Sequence, residues 1–179
     1  MTLLVAGRCP GCGLDLGAMQ PPDAVVAVRS LPRRWRGALA AATSDEDLDA
    51  MLRRRPPGGG ASALEHACRV VVAIVLLERH VRLALVEDEP DLTPADVPAG
   101  EVEACAGRSP DAVLGGLEAA AGTLAETLDG VASDAWLRPA TLAGAATDVQ
   151  ALARAAVHEG THHLREAEQV LREVRGRPD

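Results

Sequence analysis

The chain has 179 residues, a length typical of one folded domain, and 47% of them are hydrophobic. The formal net charge is −8, and the sequence contains no Phe, no Tyr and only two Trp residues. The acidic balance and the lack of aromatic side chains argue against nucleic-acid binding, which needs basic patches and stacking platforms. The core must be built from Leu, Val and Ala, which favours closely packed helices over sheets.

The longest purely apolar run, VVVAIVLL at residues 70–77, is far too short to cross a bilayer. The N-terminus lacks the charged start and the long apolar stretch of a secretory signal. We therefore expect a soluble, cytoplasmic protein without a membrane partner. In that compartment the four cysteines are expected to be thiols or metal ligands rather than disulfides.

Residues 1–20 are expected to be irregular, apart from the compact CPGCG motif. A first long helix is predicted at residues 22–42, with Pro22 in its first turn and Pro32 as the cause of a kink. A short helix, DEDLDAMLRRR, is predicted next, and the PPGGG sequence ends it.

The second long helix has the most clearly marked N-terminus of the predicted helices. Ser62 and Glu65 form a capping box, in which the side chain of each residue binds the backbone amide of the other. The helix is predicted to run to Glu87 and is apolar on every side at residues 70–77, so other helices should enclose it. An acidic, proline-rich connection, EDEPDLTPADVPAG, follows.

The third helix is predicted from Ser109, its N-cap, through Pro110 in the first turn to Gly130 at its end. A short helical turn is expected at SDAWLRP. The fourth helix is predicted to begin with a second capping box, formed by Thr147 and Gln150.

Four long helices and no clear strand pattern predict an all-α fold, a four-helix bundle with an irregular N-terminal CxxC segment. We predict a single domain over residues 1–179, in which residues 1–20 form the knuckle segment and residues 21–175 form the helical bundle. Homodimerisation is a further hypothesis. It is based on the core with few aromatic residues and on the CxxC motif, for which the chain contains no second CxxC motif as a partner.

The predicted fourth helix contains AVHEGTHHL, which places His158 and His162 one turn apart. Two imidazoles at this spacing can bind one ion, and imidazole suits Zn, Ni, Cu or Fe. On a helical wheel the pair lies away from the centre of the apolar stripe, so a solvated helix face is the alternative. The segment also matches HExxH, in which Glu159 would be the base of a zinc protease, although no strand pattern for binding a peptide is present.

The CPGCG motif is a good half-site for zinc. Its glycines permit a tight turn, and the thiolates of Cys9 and Cys12 face one ion. Three completions remain open: a tetrahedral site with His158 and His162, pairing with the knuckle of another subunit, or a redox pair. For the first of these, the N-terminal segment must fold back along the bundle. Cys68 is isolated and is interpreted as a small buried residue.

Three segments, SALEHACRV, SDAWLRP and AVHEGTHHLREA, together resemble the DinB-like (YfiT-type) superfamily of metal-binding four-helix bundles. This superfamily includes the metal-binding domain of mycothiol-dependent maleylpyruvate isomerase. The resemblance implies a divalent metal ion, for which zinc is our choice, held by His158, His162 and a third histidine from the second long helix. This chain has Arg69 where the third histidine is expected, and His66, one turn earlier, is the candidate substitute.

The resemblance leaves two alternative functions. An ion with three protein ligands keeps an open position, where a thiol cofactor such as mycothiol would bind in a transferase or isomerase that acts on a small-molecule substrate. In such an enzyme Arg69 is a candidate for binding a substrate carboxylate. A Cys₂His₂ ion is closed, which would make the protein a non-catalytic, zinc-stabilised bundle with a binding or structural role. No catalytic residue is assigned under either alternative.

Overall fold

The computed structural model describes residues 7–40, 48–93 and 96–175 of the chain. These residues contain six α-helices: α1 (Pro21–Ala40), α2 (Leu48–Arg53), α3 (Ala63–Val86), α4 (Ala99–Ala106), α5 (Pro110–Asp129) and α6 (Val149–Arg175). The four long helices, α1, α3, α5 and α6, form the predicted bundle. The last two residues of the predicted first helix, and the first three of the predicted short helix, lie outside the described residues.

The order of the long helices around the bundle differs from their order in the chain. α3 packs mainly on α5 and α6, and α1 packs on the same two helices. α1 and α3 are therefore diagonally opposite, and α6 lies between them. One face of α6 consequently contacts α1, and another face contacts α3.

Trp35 is the largest side chain in the contact between α1 and α6. It is fully buried, and its Nε1 donates a hydrogen bond to the carbonyl oxygen of Gly160 at 3.0 Å. A β-carbon at Gly160 would lie 2.5 Å from Cδ1 of Leu31, so the absence of a side chain allows the two helices to approach this closely. The rest of the core consists mainly of Leu, Val and Ala, as the composition predicts.

The N-terminal caps of α3 and α5 are as predicted. Ser62 Oγ accepts a hydrogen bond from the amide of Glu65 at 3.2 Å, and Glu65 Oε2 accepts one from the amide of Ser62 at 2.7 Å. Ser109 Oγ accepts from the amide of Ala112 at 3.3 Å, and Gly130 follows the last residue of α5. Each cap uses side chains within a few residues of the helix start, so the local sequence is enough to predict it.

The predicted capping box at the start of α6 is wrong. Asp148 caps this helix, since its Oδ1 accepts a hydrogen bond from the amide of Ala151 at 2.7 Å. Thr147 lies in a strand and pairs with Ala140, so its backbone belongs to a sheet. The helix therefore begins at Val149.

A small three-stranded sheet, β1 (Asp91–Leu92), β2 (Pro139–Leu142) and β3 (Ala145–Asp148), corrects the expectation of a fold without strands. β2 and β3 form an antiparallel hairpin, and β1 pairs with β2 in parallel. The hairpin turn uses Ala143 and Gly144, whose φ values of 52° and 76° are of the kind that a type I′ turn requires. Strands this short and this rich in Ala have a weak alternating pattern, which is why the sequence does not reveal them.

The predicted proline-rich connection after α3 contains regular structure of its own. It includes β1 and leads into α4, which packs against α3 and contributes the buried Cys105 to the core. None of the helices in the three described ranges is long and apolar enough to cross a membrane.

Candidate metal centre

The CPGCG motif forms a compact knuckle ahead of α1. The amide of Cys9 donates a hydrogen bond to the carbonyl oxygen of Leu14 at 2.8 Å, and the amide of Gly13 donates to the carbonyl oxygen of Cys9 at 2.7 Å. Gly13 has a φ of 74°, which glycine adopts without strain. The turn brings the thiols of Cys9 and Cys12 together, with Cys9 buried and Cys12 half-buried.

The segment between the knuckle and α1 runs antiparallel to α6. Leu16 is fully buried, and the guanidinium of Arg154 donates two hydrogen bonds to the carbonyl oxygen of Met19, at 3.0 and 2.7 Å. About two helical turns further along α6, Cys9 Sγ lies 3.5 Å from Nδ1 of His162. The N-terminal segment thus folds back along the bundle, as a combined Cys–His site requires.

Four potential ligand atoms converge where the knuckle meets α6. Cys9, Cys12, His158 and His162 each offer one donor atom, and these atoms all lie within 4.8 Å of one another. The two imidazole rings are tilted by 33°, and their centroids are 5.1 Å apart. Zinc bond lengths place the ligand atoms of a tetrahedral Cys₂His₂ site about 3.3–3.8 Å apart, so small side-chain shifts bring this group to that geometry.

Two local features fit a metal ion. The Nε2 atom of His158 is buried without a hydrogen-bond partner among the described residues, although buried polar atoms are normally paired. A β-carbon at Gly11 would lie 2.7 Å from Cε1 of His162, so the glycine between the two cysteines leaves room for the imidazole beside the thiols. A metal ion would give the unpaired nitrogen a partner.

The surroundings of Cys9 favour its thiolate form. Burial raises the pKa of the Cys9 thiol, but the neighbouring His158 ring and the backbone amides of Cys12 and Gly11 lower it by more, to about 6. Burial, and then the neighbouring Cys9, raises the pKa of the Cys12 thiol. A metal ion would offset the cost of deprotonating Cys12, because the thiolate is the form that binds metal.

Glu166 orients the imidazole of His162. Its Oε1 lies 3.2 Å from Nε2 of His162, while Nδ1 of the same ring faces Cys9. With the proton on Nε2 donated to the carboxylate, Nδ1 is available to bind a metal ion, which is the usual arrangement for a histidine ligand. The sequence indicates this pair only through its i, i+4 spacing.

His158 and His162 do not form a solvated helix face, because the N-terminal segment covers them and leaves His158 only 8% exposed. Glu159 does not join them. Its Oε2 lies 3.4 Å from Nε2 of His163, on another face of α6. The arrangement therefore lacks the base that an HExxH protease site would need.

His66 belongs to a different group from the two cysteines. Its Nδ1 is 3.2 Å from Nδ1 of His163 and 3.4 Å from Oε2 of Glu166, and His163 Nδ1 is 2.6 Å from the same carboxylate oxygen. His163 and Glu166 were not predicted from the sequence as site residues, because only the packing of α3 on α6 brings them to His66. Their i, i+3 spacing on one helix is the signal that the sequence offers.

This second group lines a cleft of about 620 Å³ bordered by α3, α4 and α6. Arg69, the candidate for substrate binding, also lines the cleft, and its Nε is buried without a hydrogen-bond partner in the part of the chain that the structure describes. Burial, and then the neighbouring His163, lowers the pKa of His66. The cleft therefore presents a neutral imidazole and a guanidinium side by side.

Cys68 and Cys105 lie outside both groups. Both are buried free thiols, and burial, followed by the neighbouring Cys105, raises the pKa of the Cys68 thiol. Thiols in such surroundings are unreactive. The interpretation of Cys68 as a small buried residue is confirmed.

The sequence matches no protein-family description and no curated protein. The structure is similar to that of YfiT from Bacillus subtilis, which is described as a probable metal-dependent hydrolase with an unusual four-helix bundle topology. The TM-score is 0.74, the sequence identity is 16%, and the match covers 86% of each chain. At this identity the similarity establishes the fold alone. The chain therefore has the YfiT-type four-helix-bundle fold that its sequence predicts.

Proposed function

We propose that this protein is a zinc-binding four-helix bundle in which Cys9, Cys12, His158 and His162 hold one tetrahedral ion. The observation that carries the proposal is the convergence of four donor atoms within 4.8 Å of one another. Two thiolates and two imidazoles are a donor set of structural zinc sites. The ion would cross-link the N-terminal segment to α6.

The proposed ion has four protein ligands and no open position, so its role is structural. A thiol cofactor such as mycothiol needs an open position, which disfavours the transferase or isomerase alternative at this ion. The cross-link joins Cys9 to His162, 153 residues away in the chain. It therefore orders the knuckle on α6 and stabilises the folded state by metal binding.

Metal content and cobalt spectra test this proposal. Wild-type protein should contain zinc, and its cobalt form should absorb in the near ultraviolet through thiolate-to-cobalt charge transfer. Cys9→Ser should lose that absorption. The control is Cys105→Ser, which removes a buried thiol outside the centre and should keep the absorption. A wild-type cobalt form without thiolate absorption would contradict the proposal.

A second candidate function, binding or hydrolysis of a small molecule, is favoured by the cleft beside the centre. YfiT, which has the same fold, is described as a probable metal-dependent hydrolase. The cleft volume of about 620 Å³ is within the range of small-molecule sites. Arg69 lines this cleft, and its guanidinium is complementary to an acidic group on that molecule.

Arg69→Gln tests the second candidate. A hydrogen bond to a charged group contributes about 1.5–3 kcal/mol, so this change should weaken the binding of a small carboxylate such as acetate about tenfold or more. Arg165→Gln, on the exposed part of α6, is the control and should leave the affinity unchanged. Acetate titrations followed by the chemical shifts of the cleft amides measure both variants. Equal affinities in wild type and Arg69→Gln would contradict the assignment.

A further inference from the structure

The two cysteines of the knuckle are neighbours on one tight turn. The sulfur atoms of Cys9 and Cys12 lie within 4.8 Å of each other. The amide of Cys9 donates a hydrogen bond to the carbonyl oxygen of Leu14, and the amide of Gly13 donates to the carbonyl oxygen of Cys9, so the backbone of the turn holds the two sulfurs together. Two thiols this close can form a disulfide when an oxidant removes two electrons from them.

The two sulfurs differ in their access to solvent. Cys12 is half-buried, whereas Cys9 is only 3% exposed and its Sγ lies 3.5 Å from Nδ1 of His162. A small oxidant such as a hydroperoxide therefore meets Cys12 first, and the sulfur of Cys9 lies beside it to complete the reaction. An accessible thiol next to a second, resolving thiol is the arrangement found in reversible cysteine oxidation.

The other two cysteines lack such access. Cys68 in α3 and Cys105 in α4 also lie beside each other, but both are buried, at 0% and 6% exposure. Neither thiol of this pair is half-exposed, as Cys12 is. A hydroperoxide should therefore react with the knuckle pair, and the buried pair is an internal control within the same chain.

We propose that Cys9 and Cys12 form an oxidative modification site, at which a hydroperoxide converts the two metal-bound thiolates into a disulfide and the zinc ion is released. This site rests on the proposed zinc centre and adds its regulation. In the reduced protein the ion cross-links the N-terminal segment to α6. In the oxidised protein that cross-link is absent.

The reaction with hydrogen peroxide takes two steps. The thiolate of Cys12 attacks one peroxide oxygen, the O–O bond breaks, and the products are a sulfenic acid on Cys12 and a hydroxide ion. The thiolate of Cys9 then attacks the Cys12 sulfur, the S–O bond breaks, and a second hydroxide leaves as the S–S bond forms. The two thiolates lose two electrons to the peroxide, and two protons from solvent convert the hydroxides to water.

Oxidation removes two of the four proposed ligands. His158 and His162 remain, and two imidazoles are fewer than the four ligands of a structural zinc site. The burial of Leu16 and the hydrogen bonds from Arg154 to Met19 do not involve the ion. The loss of the cross-link should therefore loosen the knuckle and leave α1 packed in the bundle.

Hydrogen peroxide added to zinc-loaded wild type tests the site. A chromophoric chelator reports released zinc, thiol titration counts the remaining thiols, and peptide mass mapping identifies the disulfide. One zinc ion should be released for every two thiols lost, and the first disulfide should join Cys9 to Cys12. Dithiothreitol and added zinc should restore both thiols and the ion. The control Cys105→Ser, which cannot form the buried disulfide, should release zinc as wild type does.

The zinc content before oxidation separates this site from the zinc centre on which it rests. Wild type that contains zinc and releases none, or whose first disulfide joins Cys68 to Cys105, overturns the modification site and leaves the zinc centre standing. Thiol loss that dithiothreitol does not reverse also overturns the site, because it indicates sulfinic or sulfonic acids instead of a disulfide. Wild type that holds no zinc before peroxide is added contradicts the zinc centre, and the modification site with it.

Discussion

His162 and His163 are neighbours in the chain, yet they belong to two different polar groups. Successive residues of an α-helix point about 100° apart, so His162 faces the N-terminal knuckle and His163 faces α3. The first group combines thiols with imidazoles and is covered, whereas the second combines imidazoles with a carboxylate and lines a cleft. A difference of one residue along α6 therefore places His162 in a covered group and His163 in a group that lines a cleft.

The two groups differ in how far they are shielded from solvent, because different segments of the chain lie over them. The first group is covered by the knuckle, which Arg154 holds close through its hydrogen bonds to Met19. The second group borders the cleft, and the side chain of Glu166 remains 41% exposed. The knuckle over the first group suits a structural ion, while the cleft beside the second group leaves room for a ligand although His66 and His163 are each only 13% exposed.

Removal of metal should have the largest effect on the covered region. An ion present at 1,000 times its dissociation constant stabilises the folded state by about 4 kcal/mol, which corresponds to a shift of about 10 °C in a chain of this size. A strong chelator should therefore lower the melting temperature of wild type by that amount. Cys9→Ser should melt lower and respond much less. An undiminished response in Cys9→Ser would place the stabilising ion elsewhere.

Glu166→Ala should affect the proposed zinc centre although Glu166 is not one of its ligands. Loss of the carboxylate that orients a metal-binding histidine typically lowers metal affinity about 10–100-fold. Competition between the protein and a chromophoric chelator measures the zinc affinity of the thiolate-containing centre. Glu173→Ala, which removes a carboxylate that accepts from Gln169, should leave this affinity unchanged. An unchanged affinity in Glu166→Ala would mean that the two regions are independent.

Gly11→Ala should weaken the proposed zinc centre selectively. The added β-carbon would lie 2.7 Å from Cε1 of His162, so the imidazole has to move away from the thiols. Overpacking of this kind costs about 1–3 kcal/mol, which predicts a zinc affinity about tenfold lower. Gly58→Ala is the control, because nothing lies within 4 Å of its added carbon. If both variants bind zinc like wild type, the ring is free to adjust.

The stability of the metal-free protein should depend on pH. The pKa of Cys9 is about 6 in the folded state, below the ordinary value of 9.0. Because folding favours the thiolate, the stabilisation is complete above the unfolded pKa and is lost as the pH falls from about 9 to about 6, at up to about 1.4 kcal/mol per pH unit. Urea unfolding of wild type and Cys9→Ser measures it. A stability difference between the two that stays constant over this range would contradict the assignment.

The local sequence predicted most of the helical fold. The caps of Ser62 and Ser109 depend on residues within one turn, and the four long helices follow from their apolar patterns. The cap by Asp148 was not predicted, because Thr147 offers an equally good local signal. What excludes Thr147 is its pairing in the β2–β3 hairpin, which in turn pairs with β1, a segment far away in the chain.

For the candidate site residues, the sequence by itself determined the ligand types and the two local spacings, CxxC in the knuckle and HxxxH on α6. Only the tertiary structure decided which of them meet. Cys9 contacts His162, which is 153 residues away in the chain. His66 contacts His163, 97 residues away, and not His158 or His162. These meetings depend on α6 lying between α1 and α3, and that arrangement follows from the packing of the whole core, which no local pattern encodes.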